Sequence, residues 1–128
     1  MRRGELWTAA GAGYLAKPRP VLIIQDDHFA QTESVTVCPL TSQDADADWW
    51  RVEVEASGAT GLAAASFVQI DKITTTRRVN LARRIGRVSA RQLSDVTARL
   101  AAFLGMASAA PVQQDEGVDG GASGADGA

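Results

Sequence analysis

The sequence predicts an α+β fold: a small, strongly bent, barrel-like antiparallel sheet of five or six strands, closed by one helix that packs on it. Three observations carry this. Residues 5–88 hold a succession of short segments rich in branched and aromatic residues, separated by Gly, Pro or Asp clusters. After Val88 the apolar period changes from two to about four. The chain then ends in "SAAPVQQDEGVDGGASGADGA", which has almost nothing to bury.

The elements follow in order. "ELWTA" (5–9), "PVLIIQ" (20–25) and "SVTVCPL" (34–40) read as three strands. "WWRVEVE" (49–55) sets Trp50, Val52 and Val54 on one face and Arg51, Glu53 and Glu55 on the other, the pattern of a half-buried strand. Two adjacent indoles on a strand cannot both point inward, so Trp49 is expected to face out. "SFVQIDKI" (66–73) reads as a fifth strand that presents Gln69 and Asp71 on one polar face. A short sixth is expected at "RRIGRV" (83–88). In the helix that follows, Ser89 is the N-cap and Gln92 completes a capping box. Leu93, Val96, Leu100, Phe103 and Leu104 form its apolar face, and Gly105 stops it.

The 128 residues, 45% of them apolar, suit one folded domain over 1–107 followed by a disordered tail at 108–128. All 13 basic residues precede the tail, which carries Asp115, Glu116, Asp119 and Asp126. The folded part therefore sets thirteen basic against eleven acidic residues, and the overall net charge of −2 conceals a mildly basic domain. That balance is compatible with a polyanionic partner without requiring one. No apolar run reaches the ~18 residues that span a bilayer, and "MRRGELW" leads into no signal-peptide core, which predicts a cytoplasmic protein. One cysteine, Cys38, and one histidine, His28, leave no His/Cys cluster for zinc, so no metal and no cofactor are expected.

"KPRP" (17–20) sets Arg19 between two prolines before the run "VLIIQ". Pro18 has no N–H to donate and Pro20 drives Arg19 towards extended geometry, so the arginine is expected on a rigid base at the strand entrance. The plain alternative is a solvated arginine on a protected edge. Thr41 follows "VTVCPL" and opens the polar loop "TSQDADAD". If the second and third strands pair antiparallel, the start of one lies beside the end of the other, and Arg19 and Thr41 share a site. A guanidinium fork and a hydroxyl suit a phosphate. A turn-forming threonine is the plain alternative.

"MRRGELW", "RPVLIIQDD", "TVCPLTS", "VQIDKITT" and "RRIGRVS", followed by the helix, resemble in content and order the MazF/PemK toxins of bacterial toxin–antitoxin systems. The resemblance spans roughly residues 2–106 and rests on the combination of "RGELW", "RPVLIIQ" and "PLTS". It implies a homodimeric SH3-like barrel with a C-terminal helix. It also implies a metal-independent, sequence-specific endoribonuclease acting on single-stranded RNA and held inactive by a cognate antitoxin. The arginine and threonine associated with cleavage match Arg19 and Thr41, and Ser42 beside them in "PLTS" and Gln69 on the fifth strand are candidate RNA contacts.

RNA cleaves itself when a 2′-OH attacks the adjacent phosphate, which builds charge on the phosphoryl oxygens and the departing 5′ oxygen. Arg19 suits that charge, and Thr41 suits orientation of the phosphate. For the proton, Asp71 is a better candidate than the lone loop histidine His28. Some relatives carry an Arg-x-Asp pair here, whereas this chain has Gln69-Ile70-Asp71. Its loop "GAGYLAKPRP" is shorter than in many relatives and places Tyr14 and Lys17 as candidates to stack a base and touch a phosphate. Thr74 stands where relatives often have an arginine. Arg77, Arg78, Arg83, Arg84, Arg87 and Arg91 form a basic run, of which Arg77 and Arg84 are the candidate RNA contacts. Two other functions stay open: a toxin of the same fold that grips a protein such as gyrase, and a catalytically silent binding homologue.

Overall fold

The structure, a computed structural model, describes residues 1–11, 15–43 and 51–107. Seven strands and one helix follow in the order β1 (Glu5–Gly11), β2 (Leu15–Ile23), β3 (Ser34–Thr41), β4 (Arg51–Val54), β5 (Ser66–Gln69), β6 (Thr74–Arg77), β7 (Leu81–Arg87) and α1 (Ala90–Phe103). All pairings are antiparallel, in the spatial order β4-β5-β3-β2-β1-β7, with β6 beside β3. The sheet bends like a barrel wall but its outer strands β4 and β7 do not pair with each other.

The run "PVLII" is apolar throughout because β2 is buried on both faces. Leu6, Leu22 and Cys38 stand opposite one another across β1, β2 and β3 and enter a core with Leu40, Val54, Val68, Ile70, Val96 and Leu100. Val21 and Ile23, alternating with Leu22, enter a second cluster on the other face with Ala9, Val35, Val37 and Leu81, and Met1 and Trp7 pack against it. Burial of each large aliphatic side chain is worth about 2 kcal/mol, so the two-sided strand is the centre of the fold.

Three expectations are corrected. The fifth strand stops at Gln69, because Ile70–Lys72 forms a 3-10 turn and the chain resumes as β6. β5 and β6 occupy successive stretches of the same edge of β3: Leu40 and Thr41 pair with Val68 and Phe67, and Ser34–Val37 pair with Thr74–Arg77. The turn is the corner between them, and it removes Asp71 from the strand face shared with Gln69. The second strand begins at Leu15 and not at Pro20, which places Arg19 inside it. Phe103 and Leu104, expected on the buried face of the helix, are 43% and 50% exposed, because only Val96 and Leu100 reach the core fully.

The helix start is as expected: the Ser89 hydroxyl accepts the Gln92 N–H at 3.1 Å, and the Gln92 side chain accepts the Ser89 N–H at 3.2 Å. Gly105, with φ +74, follows the last turn. Trp49, Trp50, Tyr14 and the tail at 108–128 lie outside the described residues, as does the Lys17 side chain, although Lys17 falls within β2.

Candidate functional site

The two prolines around Arg19 decide where the sheet opens. Just past β2 the backbone N–H of Ile24 donates to Thr36 of β3, whereas the carbonyl of Ile23 accepts from Gly4 on the β1 side. Even-numbered residues of β2 therefore turn their backbone groups towards β3, and at Pro18 and Pro20 no N–H is present to continue that ladder. Pairing with β3 ends at Val21 opposite Pro39. Beyond that point β3 leaves β2 and pairs with β5. The arginine between the prolines thus stands at a fork between two strands, and not at a strand entrance.

A cleft of about 320 Å³ opens at this fork. Leu40, Leu62 and Ile85 contribute apolar surface from the core, and Thr8, Arg19, Ser42, Ser66 and Arg83 contribute polar groups. Among the described residues no carboxylate and no histidine lines it. Gly61, Ala63 and Ala64, from the loop before β5, form a further wall. That loop is tied to β7: the Arg87 N–H donates to the Ala59 carbonyl at 2.9 Å, and the buried Thr60 hydroxyl donates to the Glu55 carbonyl at 2.9 Å. Arg19 is exposed, and neither it nor Arg83 makes a hydrogen bond or ion pair with any described residue.

Thr41 sits between Leu40 and Ser42, which both line the cleft, while Thr41 does not. Thr41 lies on the β3 arm of the fork, two residues past the last pair with β2 and opposite Phe67 of β5, while Arg19 lies two residues past that pair on the β2 arm. The Thr41 hydroxyl accepts the Gln43 N–H at 3.2 Å, an ordinary turn contact that leaves its own proton free to donate.

The remaining sequence candidates stand elsewhere. Gln69 pairs with Arg51 at the β4 edge. Asp71 lies in the 3-10 turn, with one carboxylate oxygen buried and without a hydrogen-bond partner. Burial, together with the charge of Asp71, pushes the Cys38 thiol up to about 12, so this buried cysteine is inert as a nucleophile. Arg77 faces Glu33 at 3.7 Å. His28 is held at 2.7 Å from Asp26 in an exposed turn, where the His28 N–H and ring hold the Asp26 carboxyl below its usual value.

Arg84 is drawn into a structural hub. Its Nε lies 3.1 Å from Glu5 Oε2, and Glu5 Oε1 accepts the Arg2 N–H at 2.9 Å and the Trp7 indole N–H at 3.0 Å. Burial pushes the Glu5 pKa up, but those two donors, the amino terminus and Arg84 outweigh it and hold the carboxyl below its ordinary 4.5. The segment "RGELW" is therefore the address of a buried carboxylate and its donors. Arg78 likewise serves the fold, donating to the Phe29 and Thr32 carbonyls.

Thr8, Ser66, Arg83 and the wall at 61–64 were not singled out as site residues by sequence reasoning. The basic run contains Arg83, but only the pairing of Thr8 with Pro20 on one side and Arg83 on the other brings β7 to the fork. Among the described residues no group of three or more His, Cys, Asp or Glu is placed to hold a metal ion, and no helix is long and apolar enough to cross a membrane.

Comparison with known proteins agrees with this architecture. Residues 2–104 match the model of the PemK-like, MazF-like toxins of type II toxin–antitoxin systems. A protein of Mycolicibacterium smegmatis described as a probable endoribonuclease MazF is 49% identical over 108 residues, covering 84% of this chain and 99% of its own. The solved structure of Mycobacterium tuberculosis toxin MazF-mt6 superposes with a TM-score of 0.69 at 27% identity, over 80% of this chain and 98% of that one. An endoribonuclease from a mycobacterial species, solved with its cognate antitoxin, shares the fold with a TM-score of 0.70 at 23% identity, over 84% of this chain and 97% of its own. A cleft built at a proline-opened fork, within a chain matched from residue 2 to residue 104, is thus a variation inside a known group: the protein belongs to the PemK-like, MazF-like toxin family.

Proposed function

We propose that this protein is the toxin of a toxin–antitoxin module and an endoribonuclease that cuts single-stranded RNA without a metal ion. The observation that carries the reading is Arg19, without a partner among the described residues, in a cleft whose described lining holds hydroxyls and no carboxylate, in a chain of this family. The substrate's own 2′-OH attacks the phosphorus and gives its proton to solvent water, the bond to the 5′ oxygen breaks, that oxygen takes a proton from solvent water, and the products are a 2′,3′-cyclic phosphate and a 5′-OH. Arg19 stabilises the charge that develops on the phosphoryl and departing oxygens. Thr41, across the fork, and Ser42 donate hydroxyl protons to the same phosphate and orient it for in-line attack. Asp71 lies outside the cleft and takes no proton in this scheme. The partners are RNA, a cognate antitoxin and a second copy of the chain, and the setting is the cytoplasm, where transcripts are met.

The test is to incubate the purified protein with a long single-stranded RNA in EDTA. Discrete fragments bearing a 5′-OH are expected, and they disappear in Arg19→Ala and Thr41→Ala variants that melt like the parent. Intact RNA from a folded protein would favour the silent or protein-gripping reading, and fragments that need added metal would contradict the chemistry.

A further inference from the structure

We infer that Arg83 is a second phosphate contact, holding the phosphodiester next to the scissile one; this rests on the ribonuclease reading of the cleft. Arg19 and Arg83 reach the cleft from different strands, β2 and β7, which lie on either side of β1. Thr8 marks the midpoint, pairing with Pro20 beside Arg19 and with Arg83 on the other side. Strands two apart in a sheet are separated by about 9.5 Å, a span that two long arginine side chains can close onto neighbouring phosphates of an extended strand. The same cleft is lined by Thr8 and by the apolar surface of Leu62 and Ile85, against which a sugar or base can rest.

The contrast among the arginines singles this one out. Arg77, Arg78 and Arg84 are engaged by Glu33, by loop carbonyls and by Glu5, whereas Arg83, Arg87 and Arg91 have no side-chain partner among the described residues, and of these three Arg83 alone lines the cleft. A guanidinium beside hydroxyls, with no carboxylate among the described residues lining the cleft, has a phosphate as its natural complement. A cation that binds the neighbouring phosphate contributes equally to ground state and transition state. It lowers KM and leaves kcat nearly alone. Arg19, acting on the reacting phosphate, does the opposite.

The experiment is a chemical double-mutant cycle. A short RNA spanning a cut site mapped on a long transcript is made uncleavable by a 2′-deoxy sugar at the cut nucleotide. Single methylphosphonates then neutralise the scissile phosphate and each neighbour in turn. Binding to the parent is expected to fall about tenfold at one neighbouring phosphate, and Arg83→Gln is expected to fall by the same factor on the unmodified RNA. The two changes combined should fall no further. The slope of log K against log salt should shrink by about 0.7 in Arg83→Gln, and kcat on the cleavable RNA should stay within about twofold.

Coupling of Arg83 to the scissile phosphate, or to none, would overturn the proposal, as would a loss of kcat with unchanged KM. If the parent cuts no RNA, the ribonuclease reading fails and the proposal falls with it; a parent that cuts RNA but shows no coupling of Arg83 to a neighbouring phosphate overturns the proposal alone. Arg83 is exposed and unpartnered, so the variant should melt with the parent.

Discussion

Arg83 and Arg84 are neighbours on one strand, yet they belong to two regions built on opposite principles. Around Arg84, every charge is answered: Glu5 is buried and gathers the Arg2 N–H, the Trp7 indole and the Arg84 guanidinium. Around Arg83, at the fork of β2 and β3, the cations have no partner among the described residues, and the other polar side chains described in the cleft are hydroxyls. A paired cation has already spent its donors on the protein, and only an unpaired one keeps them for a ligand. The comparison teaches that charge density along the sequence says little about binding; the question is which arginines the fold leaves unanswered.

The comparison can be broken by substitution on either side. Arg19→Ala should have the largest effect, a loss of cleavage rate of about 100- to 1,000-fold, with a melting temperature within a degree or so of the parent; a matching loss of stability would move Arg19 to the structural side. Glu5→Ala should do the reverse. It strands two buried-side donors and the Arg84 cation, at a cost of about 2 to 3 kcal/mol in urea unfolding, while the rate per folded molecule holds.

The same carboxylate gives a pH signature. Its folded pKa lies below 4.5, so its contribution is fully present above that value and is lost as pH falls through the folded pKa. Stability of the parent should therefore decline in acid more steeply than that of Glu5→Ala, when both are followed by thermal melting between pH 6 and the acid limit of folding. Ser89→Ala, which removes the helix cap, should cost about 1 kcal/mol and leave cleavage untouched. Smallest of all is Asp71→Asn: a residue outside the cleft should change the rate by less than about threefold. A loss of a hundredfold there would bring a general base into the mechanism that the cleft as described does not contain.

Much of this was legible in the sequence. The alternation of Val52 and Val54, the two-sided run "VLII" and the capping box at Ser89 each report local burial or local hydrogen bonding, and the structure places each as expected. β6 was not legible, because "TTTR" has no apolar alternation and forms only since the edge of β3 from Ser34 to Val37 offers it a ladder. The break at Ile70–Lys72 was hidden for a related reason: β5 and β6 continue along one edge, so their combined pattern imitates a single strand.

Arg19 was visible through its prolines, but their role was not, since a missing N–H matters only once the side on which the neighbouring strand lies is known. Arg83 and Arg84 carry the same side chain one position apart. Their separation depends on the pairing of β7 with β1, where the register shifts twice, between Leu6 and Trp7 and between Thr8 and Ala9. No local pattern encodes that.

The loop wall bears on how such a cleft changes over generations. A methyl group at Gly61, which sits at φ +69, would lie 1.9 Å from the Ile85 carbonyl oxygen, and one at Gly86 would lie 2.3 Å from that of Ala59. Both contacts are backbone against backbone, so neither neighbour can yield by turning a side chain. Ala63 and Ala64, by contrast, are exposed positions on the same loop, free to be enlarged. Drift in the accepted ligand can thus run through those two alanines while the hinge glycines stay frozen, letting shape diversify on one side of the groove without disturbing the arginines on the other.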